Sequence, residues 1–262
     1  MYINQMLWKT LRLICTVMSA VFMFSSVSHG QHERNTKPAD GAILDFGLGL
    51  GANLPLGDMK DRYGANLSFS VGSNYILPSN WLFNGEFIYY HSDNVKEDVL
   101  APFRVGSGYL LADDEQLADV FMRQRGFYMG LGVGKLFPFS DKSRSGLKVL
   151  VSGGVLQHHI HFDNQRNAFP LVRFGRYKGY DRMTRGFALK ETITYKHISR
   201  DRRVNFDVGF DFVQGFTSEV RAYNFDTGLA TIKKRLDLVT GVRFVWYLAF
   251  HRGSTTTEEI FY

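Results

Sequence analysis

The 262-residue chain is 45% hydrophobic and 15% aromatic, with 26 glycines, one cysteine and a formal net charge of +6, a length that suits one domain or at most two. Past the N-terminus no stretch approaches the roughly 20 apolar residues of a membrane helix, which excludes a helical membrane protein. With 23 phenylalanines and 13 tyrosines it cannot be a solvated, disordered chain either, and a β-rich protein remains.

At the N-terminus Lys9 and Arg12 precede an apolar run from Leu13 to Phe24, and Ser28-His29-Gly30 then puts small residues where a signal peptidase reads. This pattern predicts a secretory signal peptide over 1–30 and a short periplasmic segment over 31–41. The single cysteine, Cys15, lies inside the apolar run rather than after it, which argues against lipidation and leaves the mature chain without thiols.

From Leu44 the sequence alternates with a period of two, as half-buried strands do. Leu44, Phe46, Leu48 and Leu50 share one face of a first strand, opposite Asp45, Gly47, Gly49, Gly51 and Asn53. Leu67, Phe69, Val71 and Tyr75 mark a second strand, and Trp81 to His91 a third in which Phe83, Phe87 and Tyr89 oppose Asn84 and Glu86. A fourth sets Phe127, Met129, Leu131 and Val133 against Gly130, Gly132 and Gly134. A fifth, Leu147 to about Phe162, and a sixth, Phe187 to Ile198, are less regular, and Glu191 would face outward in the sixth unless a bulge intervenes. In the seventh, Val204, Phe206, Val208, Phe210 and Phe212 oppose Asn205, Asp207, Gly209 and Asp211. The eighth sets Leu236 to Phe250 against Asp237, Gly241 and Arg243.

The apolar faces run for about ten residues, the opposite faces are glycine-rich, and Tyr75, Trp81, Phe137, Trp246 and Phe250 gather near strand ends. Short connections follow strands two, four and six, and mostly longer ones follow the odd strands. Together these predict an all-β fold, an eight-stranded antiparallel up-and-down transmembrane barrel over 42–250, with a periplasmic tail over 251–262. It would sit in the bacterial outer membrane, against lipid, with both termini periplasmic. Eight strands leave a lumen that side chains fill, so Asp45, Glu86, Asp207, Asp211, Asp237 and Arg243 are expected to meet inside, joined by Lys148 or Lys190, as a structural charge network rather than an ion path.

Three motifs invite a chemical reading. His159 and His161 share a strand face while His158 points away, but no third metal ligand is assured, so no metal is assigned. Gly130 to Lys135 lacks the first glycine and the Ser/Thr of a phosphate loop. No cofactor is expected. His91 with Ser92 and Asp93 is the best constellation for a lipid A-modifying enzyme, the alternative class, yet polar loops offer such triplets by chance and no catalytic residue is assigned.

The third long connection, Asn164 to Arg185, interleaves cations with aromatics, and Arg173, Phe174, Arg176, Tyr177, Lys178, Tyr180 and Arg182 are expected to contact a protein partner or lipopolysaccharide. Nucleic acid is not an expected partner. The second connection is acidic around Asp113, Asp114, Glu115 and Asp119 and could fold over the third to neutralise part of it. The tail through Thr255 to Tyr262 would hang in the periplasm, disordered or docked on a partner.

Gly49-Leu50-Gly51-Ala52-Asn53-Leu54-Pro55-Leu56-Gly57-Asp58-Met59, Gly134-Lys135-Leu136-Phe137-Pro138, Lys178-Gly179-Tyr180-Asp181-Arg182 and Asn224-Phe225-Asp226-Thr227-Gly228 follow one another along the chain. In that order they resemble a family of Bacteroidota outer-membrane β-barrels. The resemblance implies location and fold, and by analogy a non-enzymatic accessory role in an envelope machine, either β-barrel assembly or type IX protein secretion. A stand-alone structural or surface-binding barrel is the other alternative.

Overall fold

The computed structural model describes residues 41–106, 108–111, 117–118, 120–140, 143–164, 169–172, 177–199, 204–230 and 234–252. The expected signal peptide and all of the tail from 253 onward lie outside these residues.

Eight long strands form the body: β1 (Ala42–Gly57), β2 (Asn66–Ile76), β3 (Trp81–Ser92), β4 (Val120–Ser140), β5 (Ser143–Asn164), β6 (Thr184–Ile198), β7 (Asn205–Glu219) and β8 (Lys234–Arg252). Each pairs antiparallel with its sequence neighbour, and β1 pairs with β8 from Ala42↔Arg252 to Gly57↔Asp237, so the sheet closes with no free edge. Closure matters because unpaired backbone groups cannot be solvated in hydrocarbon. The strands overrun their predicted ends: β1 continues past Pro55, β4 includes Pro138, and β8 reaches Arg252, two residues past the predicted end of the barrel.

The alternation is realised with apolar side chains outward. Leu44, Leu48, Phe69, Phe83, Leu131, Phe187, Phe210, Phe244 and Trp246 are all exposed, whereas Asp45, Glu86, Lys148, Lys190, Lys196, Asp207 and Asp237 are buried inside. An apolar exterior around a polar interior inverts a water-soluble protein and suits a barrel whose solvent is lipid. No helix among the described residues is long and apolar enough to cross a membrane.

The bulge expected near Glu191 is absent. The β6–β7 register runs unbroken from Thr184↔Glu219 to Ile198↔Asn205, and Glu191 does face outward. The register shift falls instead between Pro138 and Ser140, where proline has no N–H to give the ladder.

The short connections, after β2, β4 and β6, fall at one end, and the described residues of the longer ones (within 58–65, 93–119, 165–183 and 220–233) crown the other. At the turn end Ile43, Ile76, Leu82, Leu136, Leu150 and Ile198 form an apolar floor inside the barrel. At the loop end Met59, Tyr63, Leu100, Leu110, Val172 and Tyr180 join the inward Ile88, Tyr90, Leu156 and Val213 in an apolar cap. The lumen glycines make room between these layers: Gly130 lies directly opposite Gly154, and a Cβ at Gly130 would strike the Tyr128 hydroxyl, which donates to Ser152 Oγ at 2.9 Å. The Gly130–Lys135 run is thus ordinary strand.

Candidate functional site

Between floor and cap the charges lie in three tiers. Nearest the floor, Lys148 donates to Asp207 Oδ2, and the Tyr247 hydroxyl donates to the same oxygen at 3.0 Å. Lys196 pairs with Asp45 at 2.7 Å and Asp207 at 3.5 Å, its ammonium 3.8 Å from the centre of the Tyr247 ring, and Asn74 donates to Asp45 at 2.6 Å. In the middle tier Lys190 donates to Glu86 and lies 3.3 Å from Asp211, while Arg243 reaches Glu86 at 3.1 Å and Asp211 at 3.0 Å.

These two tiers set Asp45, Glu86, Asp207 and Asp211 against Lys148, Lys190, Lys196 and Arg243, one cation for each carboxylate. Ions cut off from water need such partners, because an uncompensated buried charge costs several kcal/mol, of order 3–5 when one member of a pair is removed. Asp237 belongs elsewhere. It forms the third tier, accepting from Thr217 at 2.5 Å and contacting His158 Nε2 at 2.9 Å and Arg235 at 3.2 Å, with Tyr63 at 3.3 Å from His158 Nδ1. Of the six residues expected to meet inside, five share the lower tiers and one stands apart. Both suggested lysines join them, and Lys196 is a member that the alternation would also have placed inward.

The loop-end cap is held by ions as well. Arg62, in the single helical turn α1 (Met59–Arg62), pairs with Glu97 and Glu219 at 2.8 Å each and donates to the Arg182 carbonyl at 3.0 Å. Arg182 donates to Glu97 at 2.7 Å and grips Asp226 through both terminal nitrogens, at 2.8 and 2.7 Å. The chain Arg62–Glu97–Arg182–Asp226 therefore takes one residue from each of the four long loops. Arg182 holds a left-handed backbone, φ 47°, and Gly179 at φ 128° lets Phe225 pack flat on the chain.

This changes the picture of the third loop. Tyr180 is buried edge-on against Phe103 and Phe225, and Arg182 spends its guanidinium inside the cap, so neither presents a contact surface. Tyr177 and Lys178 are exposed, while Arg173, Phe174 and Arg176 lie outside the described residues. Glu97 of the second loop pairs with Arg182 of the third. Of the acids expected there, Asp113, Asp114, Glu115 and Asp119 lie outside the described residues.

Burial alone would raise the Glu97 carboxyl, yet the charges and hydrogen bonds of Arg62 and Arg182 prevail and hold it below the usual carboxylate range. The folded cap then prefers ionised Glu97. Its contribution is complete above the ordinary glutamate value of about 4.3 and is lost as pH falls through the lowered folded value. Comparing urea midpoints at pH 7 and pH 3, Glu97→Gln should lose less on acidification than the parent barrel. Equal losses would mean that the clamp does not sense pH.

The enzyme constellation assembles only in part: His91 Nε2 lies 3.7 Å from Asp93 Oδ1, without the serine. His91 and Ser92 lie on opposite faces of β3, the Ser92 hydroxyl donates to the Ala65 carbonyl at 2.7 Å, and Asp93 pairs with Arg123 at 3.2 Å. His159 and His161 face outward edge to face, 6.5 Å apart, and no group of three metal-ligating side chains occurs among the described residues.

Among the described residues the apolar belt is interrupted at mid-depth by an outward carboxyl and an outward amide. Glu191 and Gln214 both point outward, Gln214 donating to Glu191 at 3.2 Å, and Thr240 faces outward on the same rung as Glu191, across Phe212. Glu191 is six residues from Arg185 and six from His197 on β6, hence about 15 Å below one rim and above the other for a strand tilted by about 40°. The outward residues of β1–β4 carry no amide or charge at comparable depth.

No protein-family model and no curated protein matches the chain. Among solved structures it is similar to Neisserial surface protein A, at 10% identity over 80% of this chain and 99% of that one, TM-score 0.40. It is likewise similar to the attachment invasion locus protein Ail of Yersinia pestis, at 10% identity over 80% and 99%, TM-score 0.42. A third is outer membrane protein OprG of Pseudomonas aeruginosa, at 11% identity over 82% and 98%, TM-score 0.36.

Proposed function

We propose that the chain is a non-enzymatic, non-conducting protein of the bacterial outer membrane, termini in the periplasm and loops outward, that serves as an accessory subunit of an envelope assembly or secretion machine. The observation that carries this reading is the Glu191–Gln214 pair at mid-depth on the lipid-facing surface. A carboxyl facing hydrocarbon is costly for a solitary barrel and useful where another membrane protein meets it. The filled lumen supports the same view, because charges paired one to one between an apolar floor and an apolar cap leave the outer surfaces as the places to act. The resemblance to Bacteroidota barrels bears on which machine it joins.

The test is to cross-link in cells, extract in mild detergent and weigh the particle that carries the tagged chain. A large particle with reproducible stoichiometric partners is the expected result. A barrel that elutes alone even after cross-linking would make it a stand-alone protein and overturn the subunit reading.

A further inference from the structure

The β4–β5 pair rises beyond its neighbours. β3 ends at Ser92 opposite Gln124 and β6 begins at Thr184 opposite His158, so 120–123 and 159–164 continue upward as a two-stranded ribbon. At its base the outward face turns basic. His91, Arg125 and His159 occupy one continuous rung across β3, β4 and β5, and one step below them Arg185 donates to Gln157 at 2.7 Å. On the rung of Gln157 and Arg185 lie Tyr89 and Phe127, the top of the apolar belt.

The exposed acids near this face sit further out, and Asp181, beside His159, is taken by Arg221 at 2.5 Å. Asp93 contacts Arg123 at 3.2 Å and His91 at 3.7 Å, and Asp163 contacts Arg123 at 3.3 Å. Arg123 is thus neutralised, whereas Arg125 and Arg185 have no carboxylate partner among the described residues. Two guanidinium groups stand two strands apart, about 10–12 Å, one with imidazoles on either side just above an aromatic band and the other level with it. That level is where the headgroup of an outer-leaflet lipid meets the protein. Guanidinium forks match phosphate oxygens two at a time, and imidazole N–H groups add further donors.

We infer that this face, formed by His91, Arg125, His159 and Arg185, binds the phosphorylated sugar headgroup of an outer-leaflet glycolipid, of the lipid A type. The inference rests on the outer-membrane placement above but not on the subunit role. It also moves the lipid contact from the third loop, where Arg182 is occupied, to the strands beside it. The ligand stays on the flank of the barrel and never enters the cap.

Native mass spectrometry of the barrel purified from cells tests this directly, with diphosphorylated lipid A and its dephosphorylated form as probes. The phosphorylated lipid should leave the protein at least fivefold more occupied than the dephosphorylated one. Arg125→Gln with Arg185→Gln should remove that preference, and Lys135→Gln at the turn end should not. Equal occupancy by the two lipids on the parent protein overturns the site, a comparison that needs no variant to fold. Displacement of the lipid by millimolar inorganic phosphate would reassign the site to free anion and overturn the lipid reading. A failed subunit test would leave all these outcomes unaffected.

Discussion

Asp207→Asn is expected to cost the barrel about 3–5 kcal/mol, the scale set by removing one member of a buried ion pair. The reason is local charge count. Asp207 is the acceptor for Lys148 and Tyr247 and the second carboxylate near Lys196, and its side chain is wholly buried. Without its charge the floor tier holds two ammonium groups and only Asp45 to balance them. Adding Lys148→Met restores the balance, leaving the Lys196–Asp45 pair at 2.7 Å intact. The double variant should therefore recover part of the loss, which a purely additive pair of mutations cannot do. Urea titrations of the refolded barrel in one detergent give all four corners of the cycle. If the double variant is less stable than Asp207→Asn alone, the tier is not held by charge balance and the burial of Lys148 must be explained by packing of its stem.

Much of this fold was legible because a membrane barrel writes its geometry at a period of two. Leu44 to Leu50 and Phe206 to Phe212 declare their outward face without help from distant residues, and Asp45, Glu86, Asp207 and Asp211 follow on the other face by strand geometry alone. Lys196 could have been read in the same way. What the pattern could not supply was pairing across the lumen, which depends on registers between strands. Alternation alone groups Asp237 with Arg243, although β8 lifts it toward the loops and into contact with His158.

The cap was the least legible part. Arg62, Glu97 and Asp226 come from different loops with no periodicity to link them, and Arg182 looked like a surface cation because its two partners are 85 and 44 residues away. Glu191 failed for the opposite reason. The alternation placed it outward correctly, but the expectation that lipid repels a carboxylate suggested a bulge to hide it. The continuous register removes that escape and makes the exposed carboxyl a property of the barrel.

Glu191→Leu should therefore act in two directions. For the isolated barrel in a bilayer the leucine should be stabilising by about 1–2 kcal/mol, since lysine and arginine at mid-depth cost about 2–4 and acids less. Gln214 loses its acceptor in that variant, which trims the gain, and Glu191→Leu with Gln214→Leu should restore it. For the assembled particle the same change should reduce partner recovery after mild extraction. Unfolding in bilayers and co-purification yield read these two effects separately. A destabilised barrel with normal partner recovery would mean that the Glu191–Gln214 bond serves the β6–β7 pairing and that the subunit reading has lost its contact point. A more stable barrel that loses its partner would place the interface on β6–β8, because stability kept low at one lipid-facing position is explained by what that position binds.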